Sequence, residues 1–426
     1  MNFKKLLTSA LFLLFVTSIF GQKIVGYIPY YRGYNVNYDY TKYTHLHYFA
    51  IWPAADGTFI YPGAEDSLSM ATEFAQLKAA VAGSDTKMIM SFGGTSENGS
   101  KYFADMAKNA QFRADFISNV IKLATDWNAD GIDIDWEWGS PNSPQADRDA
   151  HGAFLTDIRS ATTNIGLTLS VDVSPSSYNG NNYDATKIEL ADYINVMSYS
   201  YNGGWASTAA HHSPMATIKT SGINYWLGRG VTKSKMNIGS AFYGFQYSGT
   251  STPKTAFTSI STLTYTQIKS LISSGYTVVE DNEAGTYCYS VAENKIAYYD
   301  SPLNAAYKMN YAKNNGLSGV IIWEIGQDDA DQSLSNAIHN EKTLATNNAS
   351  VVNEPIVSTY ISDGQLVLQS TDDNYNLVIY DQLGKKLYSK MITNKYEIIN
   401  LNSISTQLII LNIQGKNYSV SRKLIR

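Results

Sequence analysis

Short apolar segments alternate with amphipathic ones from Ile24 to Trp323, and this alternation limits the fold more than any other feature of the chain. Each apolar segment has the length and the β-branched and aromatic content of a strand, while several intervening stretches have helical periodicity. The predicted strands are Ile24–Tyr30, His45–Ile51, Lys87–Phe92, Gly131–Glu137, Leu167–Ser174, Tyr193–Ser200, Lys235–Tyr243 and Gly319–Trp323. The predicted helices are Ala71–Ala82, Gln111–Trp127, Ala146–Ala161, Asn304–Asn314 and Asp331–Ala345.

Strands that alternate with helices in this way predict an α/β fold, a (β/α)8 TIM barrel over residues 22–345. An open, doubly wound sheet is the alternative, although no Gly-rich phosphate loop follows the first predicted strand. The interval from about 245 to 297 has its own strand-like pieces and a helical piece near Tyr265–Ser273. We therefore expect a small α+β insertion after the seventh strand, at the end of the barrel where active-site loops lie.

The first 21 residues have the composition of a signal peptide. Lys4 and Lys5 supply its charged start, and Leu6–Phe20 form an apolar run that is short for a membrane span. We expect cleavage at the end of this segment and no membrane span afterwards; an uncleaved anchor is the alternative. Because Cys288 is the only cysteine, the exported chain has no internal disulfide, which favours a bacterial extracellular or cell-surface location.

The end of the chain differs from the barrel segment in its pattern of residues. Residues 346–355 are polar, end in Pro355 and are predicted to form a linker. From 356 to 426, short alternating runs such as Gln365–Leu368 and Asn376–Tyr380 are typical of strands. Asp381–Gly384 has turn chemistry between two such runs. These patterns predict a small all-β C-terminal domain of the sandwich type.

The balance of charges excludes some classes of partner. The chain has 32 Lys and Arg against 37 Asp and Glu, a net charge of −5, and it has no basic run in the barrel segment. A nucleic-acid partner is therefore disfavoured. A single cysteine rules out a cysteine-rich metal site, and no second acidic cluster joins Asp130–Glu137 to complete a divalent-cation site. We expect neither a metal nor another cofactor.

Three acids stand at alternate positions in the segment Asp130–Glu137, whose sequence is DGIDIDWE. Successive side chains of a strand point to opposite faces, so Asp133, Asp135 and Glu137 share one face and the apolar residues share the other. In a barrel the acidic face points inward, with Glu137 nearest the C-terminal mouth. Like charges at close range raise at least one pKa, and a general acid has to be a carboxyl held neutral near pH 7. We predict that Glu137 is a catalytic acid; a solvated strand or a cation site is the alternative.

This segment resembles the Asp-Gly-x-Asp-x-Asp-x-Glu signature of family 18 glycoside hydrolases, the chitinases. Other segments resemble further patterns of that family in the same order along the chain. They are Ser91–Gly94 for Ser-x-Gly-Gly, Met197–Tyr199 for Met-x-Tyr, Gly239–Gly244 for Gly-x-Pro-x-Tyr-Gly with Ala241 in place of Pro, and Gly319–Glu324 for Gly-x-x-x-Trp-Glu. The resemblance covers about Lys23 to Ala345 and implies a TIM barrel that acts on N-acetylglucosamine polymers.

The resemblance also implies a retaining, substrate-assisted mechanism, in which the carbonyl oxygen of the substrate's own 2-acetamido group attacks C1 and forms an oxazolinium intermediate. Glu137 would protonate the leaving oxygen and then activate water. Asp135 would orient the acetamido N–H, Tyr199 would bind the acetamido oxygen, and Asp133 would tune Asp135. The residues implied in substrate binding are Tyr27, Phe49, Gly93, Gly94, Met197, Tyr243 and, as the floor beneath the −1 sugar, Trp323.

The chain departs from the family pattern at two positions beside the predicted cleft. Ser200 stands where many members have Asp, so a carboxylate is missing from the rim of the sugar site. Thr95 stands where many members have Trp, which removes a stacking platform on the leaving-group side. We expect Trp138 or Trp205 to supply that platform instead.

The C-terminal module resembles the type A sorting domain of the type IX secretion system of Bacteroidota. The resemblance rests on Asn376–Gly384, the Lys385 and Lys386 that follow it, and the basic ending Arg422–Arg426. It implies that secretion machinery is a partner of this protein. A carbohydrate-binding or fibronectin-like sandwich is the alternative, although no Trp follows Trp323 to stack on a sugar.

Together these patterns predict a secreted chitinase that binds chitin or other oligosaccharides containing N-acetylglucosamine and cleaves their β-1,4 linkages. Two alternatives stay open. An endo-β-N-acetylglucosaminidase acting on N-glycans shares the acid run. A non-catalytic chitin-binding lectin shares the fold but typically lacks the acid that Glu137 supplies in this chain.

Overall fold

The computed structural model describes residues 21–63, 65–343, 358–362, 365–369, 374–381, 385–394, 396–404, 408–415 and 419–425. The predicted linker over 346–355 and, apart from Gly21, the predicted signal peptide lie outside these residues. The chain divides into two compact units, residues 1–344 and 345–426. Within the described residues, no helix has both the length and the apolar character that crossing a membrane requires.

A closed barrel of eight parallel strands forms the first unit and confirms the predicted TIM barrel. Each strand pairs with the next one along the chain, and the first strand closes the ring by pairing with both the second and the eighth. The strands are β1 (Lys23–Pro29), β2 (His45–Pro53), β3 (Lys87–Gly94), β4 (Gly131–Trp136), β5 (Thr168–Val173), β6 (Tyr193–Val196), β7 (Met236–Ala241) and β8 (Gly319–Trp323). Every predicted strand overlaps one of them.

Helices connect the barrel strands, and the main hydrophobic core contains apolar side chains of both. They are α1 (Ser67–Ala80), α2 (Phe103–Lys108), α3 (Ala110–Asp126), α4 (Gln145–Ile165), α5 (Ser177–Gly180), α6 (Ala185–Ile188), α7 (Met215–Thr217), α8 (Asn224–Gly228), α9 (Tyr265–Ser273), α10 (Pro302–Asn314) and α11 (Ser333–Thr343), with short 3-10 or π turns at Tyr40–Lys42, Ile218–Ile223, Lys233–Lys235 and Ile325–Gln327. Outward-facing Ile132 and Ile134 of β4 belong to this core together with Phe116 and Phe154 of the helices. The opposite face of β4 is thereby left to point into the barrel.

In the sequence, the segment between β7 and α10 forms a five-stranded antiparallel sheet and one helix, α9. Its strands are Tyr243–Ser248, Ser259–Thr264, Thr277–Val279, Thr286–Ser290 and Lys295–Tyr299. This is the α+β insertion that the sequence predicts, and α9 has the predicted bounds. The first strand begins at Tyr243, which the sequence assigns to the barrel, whereas β7 ends at Ala241.

Strand β6 is shorter than the sequence predicts and ends at Val196. Beyond it, Ser198 N–H bonds to Val196 O and Tyr199 N–H to Met197 O, each at 2.7 Å, which is the two-residue spacing of a tight turn. Ser200 then adopts φ +56°, in the left-handed region. The chain over Met197–Ser200 therefore lies at the mouth of the barrel as turns, not as part of its wall.

Two antiparallel sheets form the described part of the C-terminal unit. One contains Ser358–Ser362, Gln365–Gln369 and Tyr396–Asn400; the other contains Lys386–Ile392, Tyr375–Tyr380, Leu408–Gln414 and Ser419–Ile425. Leu366 and Ile399 of the first sheet share one buried cluster with Leu377, Ile379 and Leu411 of the second. Two sheets around a common core give the predicted all-β sandwich. Of the predicted turn at Asp381–Gly384, only Asp381 lies among the described residues.

Candidate active site

The acidic face of β4 points into the barrel, as the alternation of its residues predicts. Asp133 is fully buried and Asp135 is 3% exposed. The strand ends at Trp136, so Glu137 is the first residue beyond it, at the C-terminal mouth, and its side chain is only partly buried. The three carboxyls thus form a line from the barrel interior to the mouth, with Glu137 at the end that a substrate reaches.

Polar side chains of four other barrel strands converge on Asp133. Its Oδ1 accepts from Ser170 Oγ at 2.6 Å, and its Oδ2 accepts from Ser91 Oγ at 2.9 Å. The Nδ1 atom of His47 lies 3.1 Å from the same Oδ2, and Tyr27 Oη lies 3.2 Å from it. A carboxylate surrounded by donors is stabilised in its ionised form. Asp135 differs from Asp133 in this respect, because Asp135 Oδ1 has no hydrogen-bond partner among the described residues.

The pKa values of the three acids diverge accordingly. Burial alone would raise the pKa of Asp133, but the nearby imidazole of His47 and the hydrogen bonds from Ser170 and Ser91 lower it. The pKa of Asp135 is raised well above its ordinary value by burial and by the charges of Glu137, Asp172 and Asp133. Burial raises the pKa of Glu137 to about 7. The geometry therefore favours an ionised Asp133, a neutral Asp135 and a Glu137 that gives up or takes a proton near neutral pH.

The backbone of Glu137 is held in place by the loop that follows β3. Glu137 N–H donates to Ser100 Oγ at 2.7 Å, and that hydroxyl lies 2.6 Å from Gly94 O, to which it donates. Gly93 has φ +121°, and a Cβ at this position would lie 2.0 Å from Asp135 O. Only glycine fits there, so the predicted Gly93–Gly94 pair brings the loop against the acidic strand.

An aromatic cluster lines the barrel interior beside the acids. Tyr27, Phe49 and Trp323 contact one another edge to face or tilted, with ring centroids 4.8 to 5.9 Å apart. Met197 and Tyr199 pack against the same cluster. The structure thus brings together five residues that the sequence places on four different strand ends. Trp323 is only partly buried, so part of its surface is open toward the mouth.

Ser200 and Tyr243 meet at the rim, where their hydroxyl oxygens are 2.7 Å apart. Behind them, the Tyr243 ring stacks on His212 at 4.7 Å. The next residue, Ser213, accepts from the fully buried Lys308, whose Nζ is 2.7 Å from Ser213 Oγ and 2.5 Å from Asp300 Oδ2. Where many family members have Asp, Ser200 therefore holds Tyr243 through a hydroxyl pair.

The two predicted stacking residues, Trp138 and Trp205, differ in how much of the side chain is exposed. Trp138 is 6% exposed, and its ring is packed against Trp136, His151 and Tyr183, so the prediction that it offers an open sugar platform is wrong. Trp205 is 71% exposed, with one side of its ring lying over Gly203, where a Cβ would come within 2.6 Å of the indole. Of the two candidates, only Trp205 presents a free aromatic face.

Several residues of the site were not singled out from the sequence. Asp172 of β5 is 2% exposed and contacts Tyr27 Oη, and Asn195 of β6 donates to the same oxygen. His47, Ser170 and Ser100 contribute the bonds described above. A signal for Asp172 and Ser170 exists, because they alternate with Leu169, Val171 and Val173 on β5 as inward and outward positions. No motif marks them.

Among the described residues, no group of three or more His, Cys, Asp or Glu side chains is arranged to hold a metal ion. Asp133, the deepest inward acid of β4, is hydrogen-bonded to the hydroxyl groups of Ser91 and Ser170.

A sequence model of the glycosyl hydrolases family 18 matches residues 23–328. Endochitinase 1 of Metarhizium robertsii is 28% identical over 266 residues, which cover 57% of this chain and 62% of the relative. Chitinase A1 of Niallia circulans is 26% identical over 297 residues, 59% of this chain and 42% of the relative. The crystal structure of a class V chitinase from Nicotiana tobaccum is similar with a TM-score of 0.69 and 26% identity, covering 76% of this chain and 99% of that one.

The family match extends over most of the chain and contains the acids of β4, Met197, Tyr199 and Trp323. This protein therefore belongs to family 18 of the glycosyl hydrolases. It spans 62% and 42% of the length of the two curated relatives just named.

Replacing Glu137 with Gln should change how stability depends on pH. Burial raises the pKa of Glu137 from 4.5 to about 7, so the unfolded chain releases this proton first and the native protein loses stability as pH rises from about 4.5 through about 7. The Glu137→Gln variant does not lose this stability, because Gln has no proton to release in this pH range. Its free energy of unfolding relative to wild type should therefore increase by about 1–3 kcal/mol between pH 4.5 and pH 8.

Urea unfolding followed by tryptophan fluorescence measures this difference, since all seven Trp residues precede residue 324 and report on the barrel. The same difference at both pH values would contradict the burial of an ionisable Glu137.

Proposed function

We propose that this protein is a secreted chitinase that hydrolyses the β-1,4 linkages of chitin and chitooligosaccharides with retention, using the 2-acetamido group of the substrate as nucleophile. The observation that carries the proposal is Glu137, a carboxyl with a pKa of about 7 at the mouth of the barrel, in line with an ionised Asp133 below it. The chitinases among its relatives support the substrate class, and a mutant of the Nicotiana tobaccum enzyme was crystallised in complex with NAG4.

In the first step, protonated Glu137 gives its proton to the glycosidic oxygen as the bond from C1 to that oxygen breaks. The acetamido carbonyl oxygen forms a new bond to C1 and closes an oxazolinium ring. In the second step, Glu137 takes a proton from water, the water oxygen bonds to C1 and the ring opens. A group with a pKa of about 7 suits both roles, because it is readily protonated and readily deprotonated near neutral pH.

Asp135 is suited to orient the acetamido group. Its Oδ1 is buried and has no partner among the described residues, and an unpaired buried acceptor is costly until a donor reaches it. The acetamido N–H of the −1 sugar is such a donor. Asp133 lies one inward position deeper and is engaged by Ser91 and Ser170, so it acts on the substrate only through Asp135.

We assign the remaining residues of the interior cluster to the sugar pocket. Tyr199 and Trp323 pack against the same interior cluster, which supports the proposal that the Tyr199 hydroxyl group binds the acetamido oxygen and that the indole of Trp323 forms the floor. Tyr27, Phe49 and Met197 close the sides of the pocket. On the leaving-group side, the open ring of Trp205 offers a stacking face for the next sugar, in place of the Trp that is missing at Thr95.

Turnover of chitotetraose by Glu137→Gln tests the proposal. Loss of the only general acid should lower kcat by about 10²–10⁴-fold while the variant still binds the oligosaccharide. The matched control is Glu293→Gln, at an exposed position of the insertion. In wild type, kcat/KM should fall as pH rises above about 7, because Glu137 loses its proton there.

Undiminished turnover by Glu137→Gln would refute the assignment of the acid. Wild type and variant are also compared on a glycoprotein, because release of N-glycans without cleavage of chitotetraose would favour the endo-β-N-acetylglucosaminidase alternative. Binding of chitin without any turnover by wild type would favour the lectin.

We also propose that residues 1–21 direct export and that 356–426 act as a sorting domain for type IX secretion machinery. The charged and apolar start of the chain and the sequence of Asn376–Gly384 support this, as does the small all-β form of the C-terminal unit. In a Bacteroidota host, the full chain should reach the medium or cell surface, and a chain ending at residue 345 should stay in the periplasm. Equal export of both chains, or export in a host that lacks the machinery, would contradict the proposal.

A further inference from the structure

Asp172 is a fourth inward carboxyl, and the mechanism above does not use it. It lies on β5, where the pairing of Asp133 with Ser170 and of Ile134 with Val171 puts it at the next level, beside Asp135. Its side chain is 2% exposed. Its two oxygens, Oδ1 and Oδ2, lie 2.6 and 2.7 Å from Tyr27 Oη. The family signature in β4 supplies three acids, and this residue of the neighbouring strand adds another.

The Tyr27 hydroxyl is the centre of this arrangement, because it contacts Asp172, Asp133 and Asn195. Asp133 Oδ2 is 3.2 Å from Tyr27 Oη, and Asn195 Nδ2 is 2.9 Å from it. The amide of Asn195 is oriented by Asn237, whose Nδ2 donates to Asn195 Oδ1 at 2.9 Å. Asn195 therefore donates to Tyr27 and occupies one of the two acceptor positions of the hydroxyl oxygen.

The number of hydrogen atoms available around the Tyr27 hydroxyl group then decides whether Asp172 is protonated. A hydroxyl group has one hydrogen to give, and two carboxyl groups lie within reach of the Tyr27 oxygen. If both were ionised, one of them would face a lone pair of that oxygen without a hydrogen between them. If Asp172 carries a proton, all three contacts are satisfied: Asn195 and Asp172 donate to Tyr27, and Tyr27 donates to Asp133.

The electrostatic surroundings agree with this count. Burial and the charge of Asp133 raise the pKa of Asp172 well above its ordinary value, and the hydrogen bonds of Tyr27 and Asn195 oppose that shift only in part. Glu137 faces it from the mouth and adds to the shift. The imidazole of His47 lies against Asp133, with its Nδ1 atom 3.1 Å from Asp133 Oδ2, and not against Asp172.

We propose that Asp172 is a positioning residue of the reaction: as a neutral carboxylic acid it donates to Tyr27, Tyr27 donates to Asp133, and Asp133 is kept as the ionised acid beneath Asp135. This role rests on the function proposed above, because it concerns the acids that act on the acetamido group. An ionised Asp172 would instead draw the Tyr27 hydrogen to itself, remove a donor from Asp133 and add a negative charge below Glu137.

Two variants separate this role from packing. Asp172→Asn keeps the size and a neutral donor, whereas Asp172→Leu keeps a similar volume and removes the donor. We expect Asp172→Leu to lower kcat for chitotetraose by about tenfold or more with little change in KM, and Asp172→Asn to restore most of that loss. The alkaline limb of the kcat/KM profile of Asp172→Asn should coincide with that of wild type, because one neutral group replaces another.

Equal kcat in the two variants would overturn the proposal, whether both retain activity or both lose it. So would an alkaline limb that moves to lower pH in Asp172→Asn, because that shift indicates that a negative charge has been removed.

Infrared difference spectra of wild type minus Asp172→Asn at about pH 6 detect the proton on the Asp172 carboxyl group, and they require no substrate. We expect a carboxylic-acid C=O band that disappears in the variant, and a carboxylate band in its place would overturn the proposal even if Asp172→Leu does not fold. Failure of the proposed function would look different: the carboxylic-acid band would be present, and wild type would not cleave chitotetraose.

Discussion

The confinement of several carboxyl groups within one barrel is the constraint on which the site depends. Such groups cannot all be ionised at low dielectric, so the protein has to specify which of them carries the charge. Ser91 and Ser170 donate hydrogen bonds to Asp133 and the imidazole of His47 lies 3.1 Å from it, while Asp135 Oδ1 has no partner among the described residues. Glu137, beyond the end of β4, then experiences mainly burial, which raises its pKa to about 7.

The barrel makes this arrangement rigid. Each polar group stands at a fixed level on a strand whose opposite face is packed against the helices, so a donor on β5 meets an acid on β4 at a fixed register. The mouth is formed by segments just beyond the strand ends, and these are held individually. Ser100 fixes the backbone of Glu137, and the buried pair of Lys308 and Asp300 supports the turn that carries Ser213. These contacts hold the loop residues at the mouth in place.

Local patterns in the sequence predict the scaffold and the line of acids, because both depend on the two-residue period of a strand. They do not predict what depends on distant partners. From the sequence, Trp138 is expected to be an exposed aromatic residue next to the acid, but His151 and Tyr183 pack against it and it is buried. The tight turns after Val196 arise within a run that has strand composition. The alternation of β5 places Asp172 at an inward position. The role proposed for it depends on a contact with Tyr27, which lies 145 residues away in the chain.

In the proposed mechanism, one protein acid works with a nucleophile supplied by the substrate. The configuration of the first product tests it most directly. Proton NMR of chitotetraose during the first moments of hydrolysis resolves the α and β anomers of the new reducing end before they interconvert. Two successive displacements at C1 restore the original configuration, so the account predicts that the β anomer forms first. Initial formation of the α anomer would mean that water attacks C1 directly, and the account would be wrong.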